Sequence, residues 1–155
     1  MIQATQHAST RWDGTLGTGS GTITLSGGAA SALPVSWASR TGHTTGKTSP
    51  EELLAAAHAS CYAMAFAHIL EERGTPPAHL SVAVDCTFEQ IATGFKVSRT
   101  VLTVEGEVPD ITEAQFADAA HAAELFCPIS NALRGNVDIV LTARLVQVLR
   151  PTSGS

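Results

Sequence analysis

The sequence predicts an α+β protein, and three features carry that expectation. The N-terminal third is rich in Thr, Ser and Gly with turn signals between short runs, the pattern of small antiparallel strands. An uncharged run from Leu53 to Leu70 is too long for a strand. β-branched stretches follow it, with a second helical segment lodged among them.

From Thr5 to Ser39 the turns fall at Asp13-Gly14 and Gly27-Gly28 and enclose runs such as Gly21-Thr22-Ile23-Thr24-Leu25, which reads as a meander. Thr41 to Thr48, with Gly42 and Gly46 among polar residues, reads as a loop. A helix then starts: Ser49 caps, Pro50 suits the first helical position, and Glu52 completes a Ser-x-x-Glu capping box. Because Leu53–Leu70 is apolar almost all round, this helix is expected to be enclosed on every side. Its length approaches that of a membrane span, but His58, Ser60 and His68 interrupt it and no second such run exists, so a core helix is the reading.

Gly74 and Pro76-Pro77 end that helix, and Leu80–Gln90 and Phe95–Val108 read as a hairpin turning near Thr93-Gly94. Thr112 caps a second helix through Leu125, and Pro128 places Cys127 at a helix boundary. A last strand is expected over Asn136–Val148, ahead of a polar tail at 151–155 expected to be disordered. One domain is expected over 1–150, since 155 residues suit a single core.

Hydrophobic residues make up 44% of the chain and charged ones only 15%, which argues against disorder and fits a surface partly covered by another subunit. With a net charge of −5 and its Lys and Arg scattered singly, the chain has no basic stripe for nucleic acid or an anionic membrane. The N-terminus lacks a basic region followed by an apolar run, so a cytoplasmic location is expected. Three cysteines, Cys61, Cys86 and Cys127, are too few for a stabilising framework and are expected to rest as thiols.

Taken alone, Cys61 in an alanine-rich helix reads as an inert core residue. Cys127, in Cys-Pro at a helix junction, raises the possibility of a pair: two thiols distant in sequence condense once one is oxidised. Cys86, in a strand with no acid or base beside it, reads as structural. A reactive thiol must be ionised, which calls for a neighbouring cation, and arginine stays charged in a dry site. Arg40 and Glu51 flank the loop before the long helix; their plainer readings are a solvated charge and first-turn dipole compensation. Glu51 lies ten residues before Cys61, about 15 Å along a straight helix. The two side chains therefore cannot meet within one helix, whereas a second subunit packed antiparallel across a two-fold axis could bring Glu51 to Cys61.

Two stretches carry a resemblance. Ser49-Pro50-Glu51-Glu52-Leu53-Leu54-Ala55-Ala56-Ala57-His58-Ala59-Ser60-Cys61 closely resembles the first cysteine motif of the OsmC and organic hydroperoxide resistance (Ohr) family, and Cys127-Pro128-Ile129-Ser130-Asn131-Ala132-Leu133-Arg134-Gly135-Asn136-Val137 resembles the second. The resemblance implies that Cys61 is the peroxidatic cysteine, Cys127 the resolving cysteine and Glu51 the acid of the catalytic network. Arg40 fits the OsmC-like placement of the arginine shortly before the helix, and Arg11 is the Ohr-like candidate nearer the N-terminus. The OsmC-like branch usually has an aromatic after its arginine and Asn before the proline, where this chain has Thr41 and Ser49.

The resemblance further implies an intertwined homodimer with antiparallel sheets around two long central helices. It implies reduction of organic hydroperoxides, and hydrogen peroxide more weakly, through a Cys61 sulfenate and a Cys61–Cys127 disulfide. No bound cofactor is expected, and the reductant implied is an external lipoyl-type dithiol. Tyr62, Phe66 and Phe126 are the apolar residues expected around Cys61. Two rivals stand beside this reading: a non-catalytic dimer that binds an apolar ligand, and a metal site from His58, Cys61 and Cys127. No CxxC or His-x-x-x-His spacing supports the metal, and none is expected.

Overall fold

The protein is described here from a computed structural model covering residues 1–42 and 46–147. The tail at 151–155, the end of the expected last strand at Val148 and part of the expected 41–48 loop lie outside the described residues. The chain divides into two compact units, Met1–Leu53 and Leu54–Ser155.

In the first unit, β1 (Ala8–Asp13), β2 (Ser20–Leu25) and β3 (Leu33–Val35) form an antiparallel sheet in that order, the expected meander. Gly21 is required at its centre: a Cβ there would lie 2.8 Å from Val35 Cγ1 and 2.9 Å from the Trp12 ring. A short helix, α1 (Trp37–Thr41), follows where the sequence suggested only strand and loop. A capping box makes it, with Ser36 and Ser39 exchanging side-chain-to-backbone hydrogen bonds of 2.9 and 3.2 Å. The Ser39 hydroxyl also reaches the Thr48 carbonyl at 2.7 Å, and the Thr48 N–H donates to Pro34 O at 2.9 Å.

The long helix α2 (Pro50–Glu72) begins at the predicted proline. Only half of its expected capping box forms. The Glu52 N–H donates to Ser49 Oγ at 3.1 Å, but the Glu52 carboxylate turns instead to the Thr48 hydroxyl at 2.8 Å.

The second unit holds the core. A hairpin of β4 (His79–Ile91) and β5 (Gly94–Glu107), with a bulge at Thr87/Phe88, closes through Ala92-Thr93. Next come α3 (Glu113–Phe126), α4 (Pro128–Leu133) and β6 (Asp138–Leu145). Here the expectation of wholly antiparallel sheets is corrected, because β6 runs parallel to β5. A parallel neighbour needs a long crossover, and the α3–α4 segment supplies it.

Tyr62, Phe66 and Leu70 of α2 are fully buried with Leu102 and Val104 of β5 and Phe116 and Ala120 of α3. Each such large side chain contributes about 1.5–3 kcal/mol by leaving water. The Tyr62 hydroxyl donates to Ala120 O at 2.8 Å, and the Phe66 and Phe116 rings meet at 5.1 Å. Close approach of α3 to the sheet depends on Gly106, where a Cβ would sit 2.8 Å from the Phe116 ring. Cys86 shares the inner face of β4 with Leu80, Val82 and Val84 and is partly buried.

The expectation that α2 is enclosed on every side does not hold within one chain. His58, Tyr62, Ala65, Phe66 and Leu70 are buried, while Ala56, Ser60, Met64 and His68 form an exposed stripe, with Met64 at 69%. The helix is long and apolar enough to cross a membrane by length and composition. Its buried face nevertheless packs on β5 and α3 as part of the core.

Candidate active site

Of the four residues singled out from sequence, the first unit holds two, and they are bonded to each other. Ser36 caps α1 and so fixes Arg40 in its last turn, while Glu51 sits in the first turn of α2. Arg40 Nη2 and Nε lie 2.8 and 3.1 Å from Glu51 Oε1. The Glu51 side chain is 8% exposed and that of Arg40 34%, so the carboxylate is held inside and the guanidinium reaches outward. Glu51 Oε2 is buried with no hydrogen-bond partner. Arg40 is thus more than a solvated charge, and Glu51, in the first turn of α2 where it compensates the helix dipole, also holds the guanidinium.

Arg11, the alternative arginine, is 82% exposed on β1 and pairs with Asp13 at 3.0 Å, away from Glu51. Arg40 also borders an apolar groove of about 430 Å³ lined by residues including Trp12, Leu16, Ile23, Val35 and Trp37. The sequence reasoning missed this groove. The only signal for it was the presence of both tryptophans of the chain in the strand-rich third.

The second unit holds the thiols. Cys127 is fully buried and stands at once at the C-terminal end of α3 and the N-terminal end of α4, with φ −62° and ψ 118°. Pro128 makes that joint, since its fixed φ starts a helix but its ring cannot continue the preceding one. Cys61, partly buried on α2, has the Cys127 thiol and the Ile129 N–H as its neighbours. All three cysteines are free thiols.

Burial pushes the Cys61 thiol up, the Ile129 N–H pulls it back, and the neighbouring Cys127 adds to the rise. Of the aromatic residues expected around Cys61, Tyr62 and Phe66 point into the core, and Phe126 is 51% exposed and stacks on His68 at 5.2 Å. His58, offered above as a metal ligand, bonds through Nε2 to Ser130 Oγ at 2.7 Å. Among the described residues no group of three or more His, Cys, Asp or Glu side chains is arranged to hold a metal ion.

Two free thiols are thus neighbours, one on a long core helix and one at a helix–helix joint. Residues 42–142 match the family model described as OsmC-like protein, and the chain belongs to that family. The chain is 30% identical over 128 residues to the peroxiredoxin OsmC of Escherichia coli, a match that covers 83% of this chain and 89% of that one. It is 32% identical over 95 residues to the organic hydroperoxide resistance protein OhrB of Bacillus subtilis, covering 61% and 68%. The crystal structure of that OhrB superposes with a TM-score of 0.69 at 27% identity, covering 89% of this chain and 98% of that one.

Proposed function

We propose that the protein is a cysteine-based peroxidase that reduces organic hydroperoxides, and hydrogen peroxide more weakly, in oxidative stress defence. The observation that supports it most directly is that two free cysteines, Cys61 on α2 and the buried Cys127 at the α3–α4 joint, are neighbours. In the first step the Cys61 thiolate attacks the terminal peroxide oxygen. The O–O bond breaks, sulfur is oxidised to sulfenic acid, and the alkoxide leaves as the alcohol after taking a proton. Cys127 then attacks that sulfur, water leaves, and a disulfide forms. An external dithiol, of the lipoyl type by family resemblance, takes the place of Cys127 and Cys61 in turn and restores both thiols. A reducing cytoplasm is the compartment in which such a cycle runs.

The thiolate needs a positive partner, because burial alone keeps Cys61 protonated. Arg40, held by Glu51, is the cation assigned to this role. We propose that a second copy of the chain supplies it, with the exposed stripe of α2 around Met64 as the contact face. Single-turnover oxidation of the reduced protein by one equivalent of cumene hydroperoxide tests the reading. Two thiols should be lost, a Cys61–Cys127 link should appear on mass spectrometry, and an equivalent of hydrogen peroxide should act more slowly. The groove beside Arg40 favours the alternative of a non-catalytic binding protein for an apolar ligand. Thiols unchanged under those conditions would select it.

A further inference from the structure

The buried face of α2 carries a group that the peroxide chemistry leaves unused. His58 is completely buried, and its Nε2 lies 2.7 Å from the hydroxyl of the equally buried Ser130. Its Nδ1 is buried with no hydrogen-bond partner. A buried N–H without an acceptor is costly, and bare acceptor positions are tolerated more readily. Nε2 is therefore assigned the proton and donates to Ser130 Oγ, leaving a bare lone pair at Nδ1.

The placement of this bond gives it a purpose. His58 precedes Cys61 by three residues, on the same side of α2, and Ser130 follows Cys127 by three. The segment bearing Cys127 is thus tied to α2 by the thiol contact with its Ile129 N–H, and a turn away by His58 and Ser130. Helix α4 has only six residues and no side-chain cap at Cys127, so it has little stability of its own. Its far end is held separately, by Arg134 bonded to the Glu124 carbonyl at 3.1 Å and to the Glu124 carboxylate.

We propose that His58 is a positioning residue for the disulfide step: through Ser130 it holds α4 so that Cys127 stays within bonding reach of Cys61. This rests on the reading that the two cysteines form a redox pair. Without the tie the reduced thiols can drift apart, whereas the covalent disulfide holds them together regardless. Loss of the tie therefore favours the dithiol by lowering the effective concentration of one sulfur at the other.

The test is the equilibrium of the full-length protein with glutathione. Protein dithiol and glutathione disulfide exchange two electrons and two protons, giving protein disulfide and two glutathione thiols, and both forms are counted by alkylation and mass spectrometry. His58→Leu and Ser130→Ala should each shift the equilibrium at least about tenfold toward the dithiol, about 30 mV for a two-electron couple. The double variant should go little further, since both remove one bond. His58→Gln, whose amide nitrogen reaches the Nε2 position, should recover most of the shift. Thr112→Ala, which removes the α3 cap and lowers stability without touching α4, should leave the potential where it is.

Wild-type potentials in His58→Leu and Ser130→Ala would overturn the inference, as would an equal shift from Thr112→Ala. A protein that ignores cumene hydroperoxide yet shows the predicted glutathione shifts would overturn the peroxidase reading and support this one. One that forms no Cys61–Cys127 disulfide even in oxidised glutathione would overturn both.

Discussion

Burial acts on Cys61 and His58 with opposite signs, raising the first and lowering the second. For Cys61, the proposed Arg40 must offset the rise, and its removal returns the thiol to the protonated form at neutral pH. Arg40→Gln should therefore slow the first thiol oxidation at pH 7 by about tenfold or more, and the pH at which the rate reaches half its maximum should move up by about a unit or more. Stopped-flow oxidation across pH 5–10 reads both; a profile that does not move would remove Arg40 from the thiolate's environment. Burial is the larger influence on His58, and the Glu124 carboxylate opposes it. The unfolded chain then takes up a proton more readily than the folded one, so stability is complete above the ordinary histidine value of 6.5 and falls as pH drops below it. The fall in urea midpoint between pH 7 and pH 5 should be smaller in His58→Leu than in the wild type. These residues differed in how much the sequence disclosed. Arg40, Glu51 and the two cysteines could be named as candidates because two contiguous motifs resemble those of a known family, and contiguous motifs are local information. Ser130 as the partner of His58 could not, since seventy-two residues separate them and only the tertiary fold brings them together.

At the scale of elements, the long helix, the hairpin and the second helix were legible because each has a strong local signature. Examples are Pro50 after Ser49, Gly94 in the tight turn, and Thr112 as the cap of α3, where the structure adds Gln115 as the second half of a capping box. Helix α1 was not legible, since its five residues carry no hydrophobic period and it is made by a Ser36–Ser39 exchange inside a Ser- and Thr-rich stretch. The parallel placement of β6 was also missed, because strand direction follows from where the α3–α4 crossover returns the chain and not from residues within the strand. The packing of α2 on α3 through Phe66 and Phe116 makes a direct prediction. Phe66→Ala should cost about 3–5 kcal/mol in urea unfolding, and a cost under about 1 kcal/mol would mean that this contact is not central to the core.

At the scale of the whole molecule, the question is why so apolar a helix leaves a face bare. The exposed Ala56, Ser60, Met64 and His68 stripe is unusual for a helix with no charged residue between Leu53 and Leu70, and a two-fold partner would bury it against its own copy. If that partner also delivers Arg40 to Cys61, two proteins that are individually impaired, one slowed and one inactive, should repair each other. In Arg40→Gln the thiol remains but the cation is gone, and in Cys61→Ser the reverse holds. A heterodimer of the two has one site with both groups intact and one with neither. Random reassortment of an equal mixture makes half of the dimers mixed, so activity should recover to about one quarter of the wild-type value per chain. The variants are unfolded and refolded together, and peroxide consumption with a dithiol is compared with that of each refolded alone. No recovery, in a mixture whose heterodimers are verified by mass spectrometry, would mean that each chain completes its own site and that the bare face of α2 serves some other contact.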